Sequence, residues 1–122
     1  MRKVICAVFV VVTCITVIAS CSKGSMANNN SGGTTTFDCA SSPKTFAADA
    51  NPVIQTFCNQ ASCHNAGSTN GVGPLTNFDQ IFNARASIRA AIASGIMPQN
   101  TTLTTAQKTS IICWIDNGAQ NN

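Results

Sequence analysis

The sequence is poor in ionisable side chains, and this scarcity argues against two broad functions. Of its 122 residues only 9% are Asp, Glu, Lys or Arg, none is Glu, and His64 is the single histidine. One histidine and four scattered aspartates supply no general acid–base pair, so we do not expect an enzyme. The formal net charge of +3 falls to +1 without Arg2 and Lys3, which lie in a predicted leader. With neither a basic face nor an aromatic stacking platform, we expect no nucleic-acid partner.

The first 20 residues show the pattern of an export signal. Two basic residues precede an apolar run of 15 residues, 4–18, which is shorter than the roughly 20 residues that a membrane-spanning helix needs. The run ends in Ile18-Ala19-Ser20-Cys21, which resembles the bacterial lipobox. That resemblance implies cleavage before Cys21 and lipidation of its thiol, whereas an ordinary signal cleaved nearby would leave Cys21 as a stray thiol. We therefore predict a signal peptide at 1–20 and a lipid anchor at Cys21.

Composition then divides the mature chain into two parts. Residues 21–36 are mostly Ser, Gly, Asn and Thr and cannot bury a core, so we interpret them as the lipidated N-terminus and a flexible linker. Residues 37–122 form the predicted domain. No stretch of this domain alternates with the period of a β-strand, which favours an all-α fold of three to five helices.

Four sequence signals place the predicted helices. Asn51 as N-cap, with Pro52 at the first helical position, predicts a short helix that leads to Cys58. Asn77 with Gln80 indicates a second start, and a further helical run is predicted over 86–94 and ends at Gly95. Thr104 with Gln107 predicts a capping box for the last helix, which Gly118 ends. Pro98 disfavours helix at the preceding residue and leaves an irregular segment there.

The central motif is the segment Cys58 to His64, in which two cysteines are followed at once by the only histidine. A Cys pair followed by His is the attachment signature of a c-type haem: the thiols add to the vinyl groups, and the imidazole binds the iron. Here the spacing is C-x4-C-H, two residues longer than the usual form. The extra residues must loop out if both sulfurs are to reach one macrocycle.

The remaining cysteines and methionines are few enough to be assigned. The cysteines outside the predicted signal and anchor are Cys39, Cys58, Cys63 and Cys113. If the central pair carries haem, the outer two are left to form a disulfide in an oxidising compartment, although four cysteines also allow three pairings without haem. A haem iron takes a second axial ligand, commonly a methionine sulfur. Met97 is the only methionine of the predicted domain, since Met26 lies in the linker.

These residues resemble a known family. The Cys58–His64 motif, the Gly73-Pro74 loop, the segment Gly95 to Pro98 and the final Trp114–Ala119 segment are similar to a monohaem class I cytochrome c domain. The similarity is greatest to small Bacteroidetes-type lipoprotein cytochromes. It implies one covalent haem c per chain, attached to Cys58 and Cys63, with His64 and Met97 as the iron ligands. It also implies that the Pro74 carbonyl accepts the His64 Nδ1–H.

The resemblance implies a function and leaves two alternatives. We expect a monomeric electron carrier, lipid-anchored in the bacterial cell envelope, facing the periplasm or cell surface and exchanging single electrons with redox proteins. The first alternative is a non-redox lipoprotein, a binding or structural module stapled by disulfides. The second is a zinc site among the cysteines and His64, although the close C-x2–4-C pairs of structural zinc sites are not present at both ends.

Overall fold

The computed structural model describes residues 36–122, which contain the predicted domain. The predicted signal peptide, the lipid anchor at Cys21 and the linker up to residue 35 lie outside the described residues. Within the described part the fold is helical, with three α-helices and no strand, so the all-α prediction is confirmed there. The α-helices are α1 (Asn51–Phe57), α2 (Phe78–Ser94) and α3 (Thr105–Asp116). None of the helices of residues 36–122 has the length and hydropathy to cross a bilayer.

A π-helical turn, Phe46–Ala50, precedes α1 and runs into it without a break. The Thr45 side chain accepts a hydrogen bond from the Ala48 N–H, while the Asp49 carboxylate accepts one from the Thr45 N–H at 2.9 Å. Because the chain is already helical at Ala50, the prediction of Asn51 as N-cap is wrong. The Asn51 side chain instead accepts a hydrogen bond from Gln55 Nε2 at 3.1 Å, one turn further along α1.

Helix α2 is one continuous helix where the sequence predicted two runs. Its start at Asn77 is confirmed, because the Asn77 side chain accepts a hydrogen bond from the Gln80 N–H at 3.0 Å. Between Phe78 and Ser94 there is neither Gly nor Pro to interrupt it. Gly95 ends it in the left-handed conformation, at φ 75°, as predicted.

Helix α3 lies at the centre of the packing. It contacts α2, α1 and the π-helical turn, and it contributes four of the most deeply buried side chains: Ile111, Ile112, Cys113 and Trp114. Its predicted capping box is confirmed by hydrogen bonds in both directions between Thr104 and Gln107. The aromatic ring of Phe46 lies 5.0 Å from that of Phe78 and 5.2 Å from that of Trp114, measured between centroids. This aromatic cluster joins the π-helical turn, α2 and α3.

A disulfide joins Cys39 to Cys113, 74 residues apart in sequence, which confirms the predicted pairing of the outer cysteines. Closing a loop of this length stabilises the folded state by about 4.5 kcal/mol in the chain-entropy picture. Cys58 and Cys63 are free thiols. The bond therefore ties the start of the domain to its central helix and leaves the motif cysteines available.

Candidate functional site

The long motif folds as a loop that returns to its own first residue. Cys58 ends α1, where its N–H donates to the Ile54 carbonyl at 2.8 Å. The chain then loops outward, and the His64 N–H donates back to the Cys58 carbonyl at 3.1 Å. Within the loop the Cys63 N–H donates to the Gln60 carbonyl at 2.9 Å. The extra residues of the C-x4-C-H spacing thus loop out, as predicted.

The His64 ring is oriented by a backbone carbonyl. Its Nδ1 lies 2.8 Å from the carbonyl oxygen of Gly73, and a carbonyl can only accept. Nδ1 therefore carries the hydrogen, and in the neutral ring the lone pair of Nε2 remains free to bind a metal. A carbonyl acceptor on the second nitrogen is the usual support of a metal-binding histidine.

The acceptor is Gly73, so the prediction that the Pro74 carbonyl takes this role is wrong by one residue. The Leu75 N–H donates to the His64 carbonyl at 2.8 Å, which brings this segment alongside His64. Gly73 has a φ of 79°, in the left-handed region that glycine adopts without strain. In this conformation the Gly73 carbonyl is the one within hydrogen-bond distance of His64 Nδ1.

The predicted site residues line one cavity. It has a volume of about 450 Å³, within the range that holds a drug-sized ligand. Cys58, Cys63 and His64 lie on its wall together with Met97, which is 33 residues after His64 in sequence. The aliphatic and aromatic parts of the wall are Phe57, Val72, Leu75, Ile88, Ala91 and Ile92. Of the five predicted cofactor-binding residues, the structure brings four together, and Pro74 is not among those lining the cavity.

Met97 reaches the cavity because α2 ends just before it. After Gly95 reverses the chain direction, the Met97 N–H donates to the Ala91 carbonyl at 3.3 Å, which holds the segment against the end of α2. The Met97 side chain is half-buried, and Pro98 beside it also lines the cavity. The irregular segment predicted from Pro98 is confirmed.

The cavity is electrically neutral. No Asp, Glu, Lys or Arg of the described residues lines it. Burial raises the pKa of the Cys58 thiol to about 11, and the neighbouring Cys63 adds to the shift because two thiolates repel each other. Cys58 is only 7% exposed and is therefore a neutral thiol at physiological pH. The cavity thus offers soft sulfur atoms and one imidazole in an apolar setting.

The disulfide bears on the zinc alternative, because it removes Cys39 and Cys113 from the available ligands. Among residues 36–122, no group of three or more His, Cys, Asp or Glu side chains is placed to hold a metal ion. The motif thiols and His64 instead line the wall of a cavity with Met97.

Three polar residues around the motif were missed by the sequence analysis. The Ser68 hydroxyl donates to the Cys63 carbonyl, and the Asn70 side-chain amide donates to the same carbonyl at 3.2 Å. Gln55 donates from α1 to the Leu75 carbonyl at 3.0 Å. An Asn-Gly pair is a strong turn signal, so the pair at 70–71 could have located the turn. Nothing in the sequence indicates which carbonyls these side chains bind.

Comparisons with known proteins add no family assignment. No family model matches the chain, and neither a curated protein nor a solved structure matches it. The residues and the geometry of the cavity are therefore the basis on which a function can be inferred.

Proposed function

We propose that the protein is a membrane-tethered c-type cytochrome that passes single electrons between partners in the cell envelope. The observation that carries the proposal is the convergence of Cys58, Cys63, His64 and Met97 on one apolar cavity. These are the residue types that attach and ligate haem. Met97 lies 33 residues after His64 in sequence, yet both line the same cavity.

Each residue has a distinct role in this proposal. Cys58 and Cys63 would hold the group through thioethers, and His64 would bind the iron through its free Nε2. The Met97 sulfur would be the second ligand of the iron, and its softness favours the reduced state. When bound, haem supplies an iron that gains or loses one electron. With His64 and Met97 both bound to the iron, no position would be left for a substrate, and electron transfer is the activity that the group would supply.

The surroundings of these residues support the same function. The apolar side chains of the wall would cover the faces of a macrocycle and keep water away, which is how a protein adjusts a haem potential. The Gly73 carbonyl fixes the His64 ring and makes Nε2 a better ligand. The lipid anchor proposed at Cys21 would hold this monomeric carrier at a membrane, within reach of redox proteins.

The test is whether the mature protein carries covalent porphyrin. The chain is expressed in a bacterium that attaches haem c, and the purified protein is analysed by pyridine haemochrome spectrum and intact mass. We expect one covalent haem per chain. Cys58→Ala and Cys63→Ala should each leave a single thioether and a shifted haemochrome band, whereas Ser62→Ala, which also alters a cavity-lining residue, should leave the band unchanged.

A mature protein without covalent porphyrin mass would refute the proposal. It would leave the non-redox lipoprotein, a binding or structural module whose cavity takes another apolar ligand, as the better interpretation. The visible spectrum of the purified protein separates these two functions directly.

A further inference from the structure

Asn70 makes hydrogen bonds to both halves of the site. Its side-chain Nδ2 donates to the carbonyls of Ser62 and Cys63, at 3.1 and 3.2 Å. Its own carbonyl accepts from the Gly73 N–H at 2.8 Å, which closes a turn over 70–73. Gly73, the last residue of that turn, supplies the carbonyl that orients His64. Asn70 therefore connects the two parts of the site: its side chain binds the second motif cysteine, and its backbone closes the turn that supports the histidine.

The connection matters because the motif loop is long. The Cys63 carbonyl points out of the loop, and the groups that bind it are the Asn70 amide and the Ser68 hydroxyl. Inside the loop, backbone hydrogen bonds run from Cys63 to Gln60 and from His64 to Cys58. The first half of the loop is also tied to α1 by the side chains of Asn59 and Gln60, but none of these groups binds the Cys63 carbonyl. A two-residue insertion adds conformations that the loop must lose on folding. The Asn70 amide has two N–H donors and lies outside the loop. By binding the loop carbonyls it excludes those extra conformations.

We propose that Asn70 is the positioning residue that makes the C-x4-C-H spacing competent for a second thioether, by holding Cys63 and His64 in a fixed relation. This inference rests on the proposed haem attachment. In that step the Cys63 sulfur bonds to one carbon of a vinyl group, and the thiol hydrogen ends on the other carbon. No electron is gained or lost overall, so the requirement on the chain is purely one of position.

The test compares Asn70→Asp and Asn70→Ser with wild type and with Thr69→Ala. Asp and Ser are both favoured at the first position of a β-turn, so the 70–73 turn is retained. Asp has the shape of Asn without its two N–H donors, and Ser keeps one shorter donor. Thr69 is the exposed neighbour. Thioethers are counted from the haemochrome band and from the mass of haem-bearing peptides.

We expect Asn70→Asp to hold haem mainly through Cys58 alone, Asn70→Ser to give a mixture, and Thr69→Ala to match wild type. In a Cys63→Ala background, Asn70→Asp should add no further shift of the haemochrome band, because the same bond is already lost. A residue that served only stability would lower the yield and leave the thioether count unchanged.

Two thioethers in the Asn70→Asp protein, at any yield, would overturn the inference and leave the proposed function intact. A single thioether in the wild type would overturn it in the same way. Wild-type protein without covalent haem would overturn the proposed function and this inference together. The outcomes therefore distinguish the two proposals.

Discussion

His64 is the only histidine of the chain, and the Gly73 carbonyl determines which of its nitrogens can bind a metal. Because that carbonyl accepts a hydrogen bond from Nδ1–H, the lone pair of the neutral ring lies at Nε2. The ring is also close to the turn that supports it: a Cβ added at Gly71 would lie 3.8 Å from His64 Cε1. Gly71 has a φ of 51°, which a glycine adopts without strain.

Met97 allows a clean test at the scale of one residue. Replacing it with Ala removes the proposed sulfur ligand, so the Met–iron charge-transfer band at the red edge of the visible spectrum should disappear and a coordination site should open. The reduction potential should also fall, because a His/Met pair raises it. The measurements are the visible spectrum and a redox titration of the purified holoprotein.

Met26→Ala is the matched control for Met97→Ala, since it removes the only other methionine of the predicted mature chain. Its spectrum should be that of the wild type. An unchanged band in Met97→Ala would show that another group holds the second axial position.

At the scale of elements, the capping box of α3 makes a quantitative prediction. The Gln107 N–H donates to Thr104 Oγ1 at 3.3 Å, and the Thr104 N–H donates to Gln107 Oε1 at 2.8 Å. Thr104→Ala should lower the free energy of unfolding by about 1 kcal/mol, the usual value for a lost N-cap. The measurement is denaturant unfolding of the holoprotein.

Thr105→Ala provides the comparison, because Thr105 is the next residue and its side chain makes no hydrogen bond within the described part of the chain. That variant should change stability by a few tenths of a kcal/mol at most. Equal effects of the two substitutions would show that the cap does not stabilise α3.

The elements that could be predicted are those whose signals are local. The capping residues Asn77 and Thr104 each mark a helix start, and Gly95 marks an end, because cap chemistry depends on neighbours three or four residues away. The continuity of α2 was missed because its support at that point is a side-chain contact within one helical turn, which no capping residue marks. The Arg85 guanidinium lies over the Phe82 ring at 4.0 Å and stabilises the very turn where a break was expected.

The start of α1 shows a second reason why prediction from sequence fails. The pair Asn51-Pro52 is an ordinary N-terminal signal, but the chain is already turning through the π-helical segment before it. That segment is held by residues distant in sequence, since the Phe46 N–H donates to the Asn122 side chain at 3.0 Å. No pattern within ten residues could indicate this contact. The Pro74 prediction failed for a related reason: the side on which a carbonyl lies depends on dihedral angles that the sequence does not specify.

At the scale of the whole molecule, charge is kept away from the cavity. Among residues 36–122 four cationic side chains oppose four aspartates, and the stretches 50–78 and 90–107 contain no Asp, Glu, Lys or Arg. These two stretches supply nearly all of the cavity wall. Arg89 is in addition paired with Asp116 at 2.6 Å, between α2 and α3. A small charged reactant should therefore meet little electrostatic attraction or repulsion at the cavity.

The side chains of the cavity wall should accordingly add little to the salt dependence of electron exchange. For oxidation of the reduced holoprotein by ferricyanide, an anion, we expect only the modest salt dependence that the haem propionates cause, measured between about 10 mM and about 300 mM salt. The measurement is stopped-flow absorbance of the haem band. Gln99→Lys places a cation at the cavity wall and should make the rate faster at low salt and clearly salt-dependent.

Ala48→Lys adds the same charge on the exposed π-helical turn, outside the cavity wall, and is the matched control. It should have a much smaller effect than Gln99→Lys, because screening weakens exposed charges beyond about 10 Å at ordinary ionic strength. A wild-type rate that falls steeply with salt would contradict the neutral-face prediction.

The Cys39–Cys113 bond also determines what a single cut in the backbone can do. The motif loop, the turn at 70–73 and the Met97 segment all lie between its two ends. A protease that cleaves any one peptide bond in this interval yields two pieces that remain covalently joined, so neither can diffuse away with half of the site. A protease can thus cleave an exposed loop, such as the one around Thr69, without separating the two pieces of the chain. If the protein works in the cell envelope, as proposed, the disulfide would keep a nicked chain together in a place where no new chain is made.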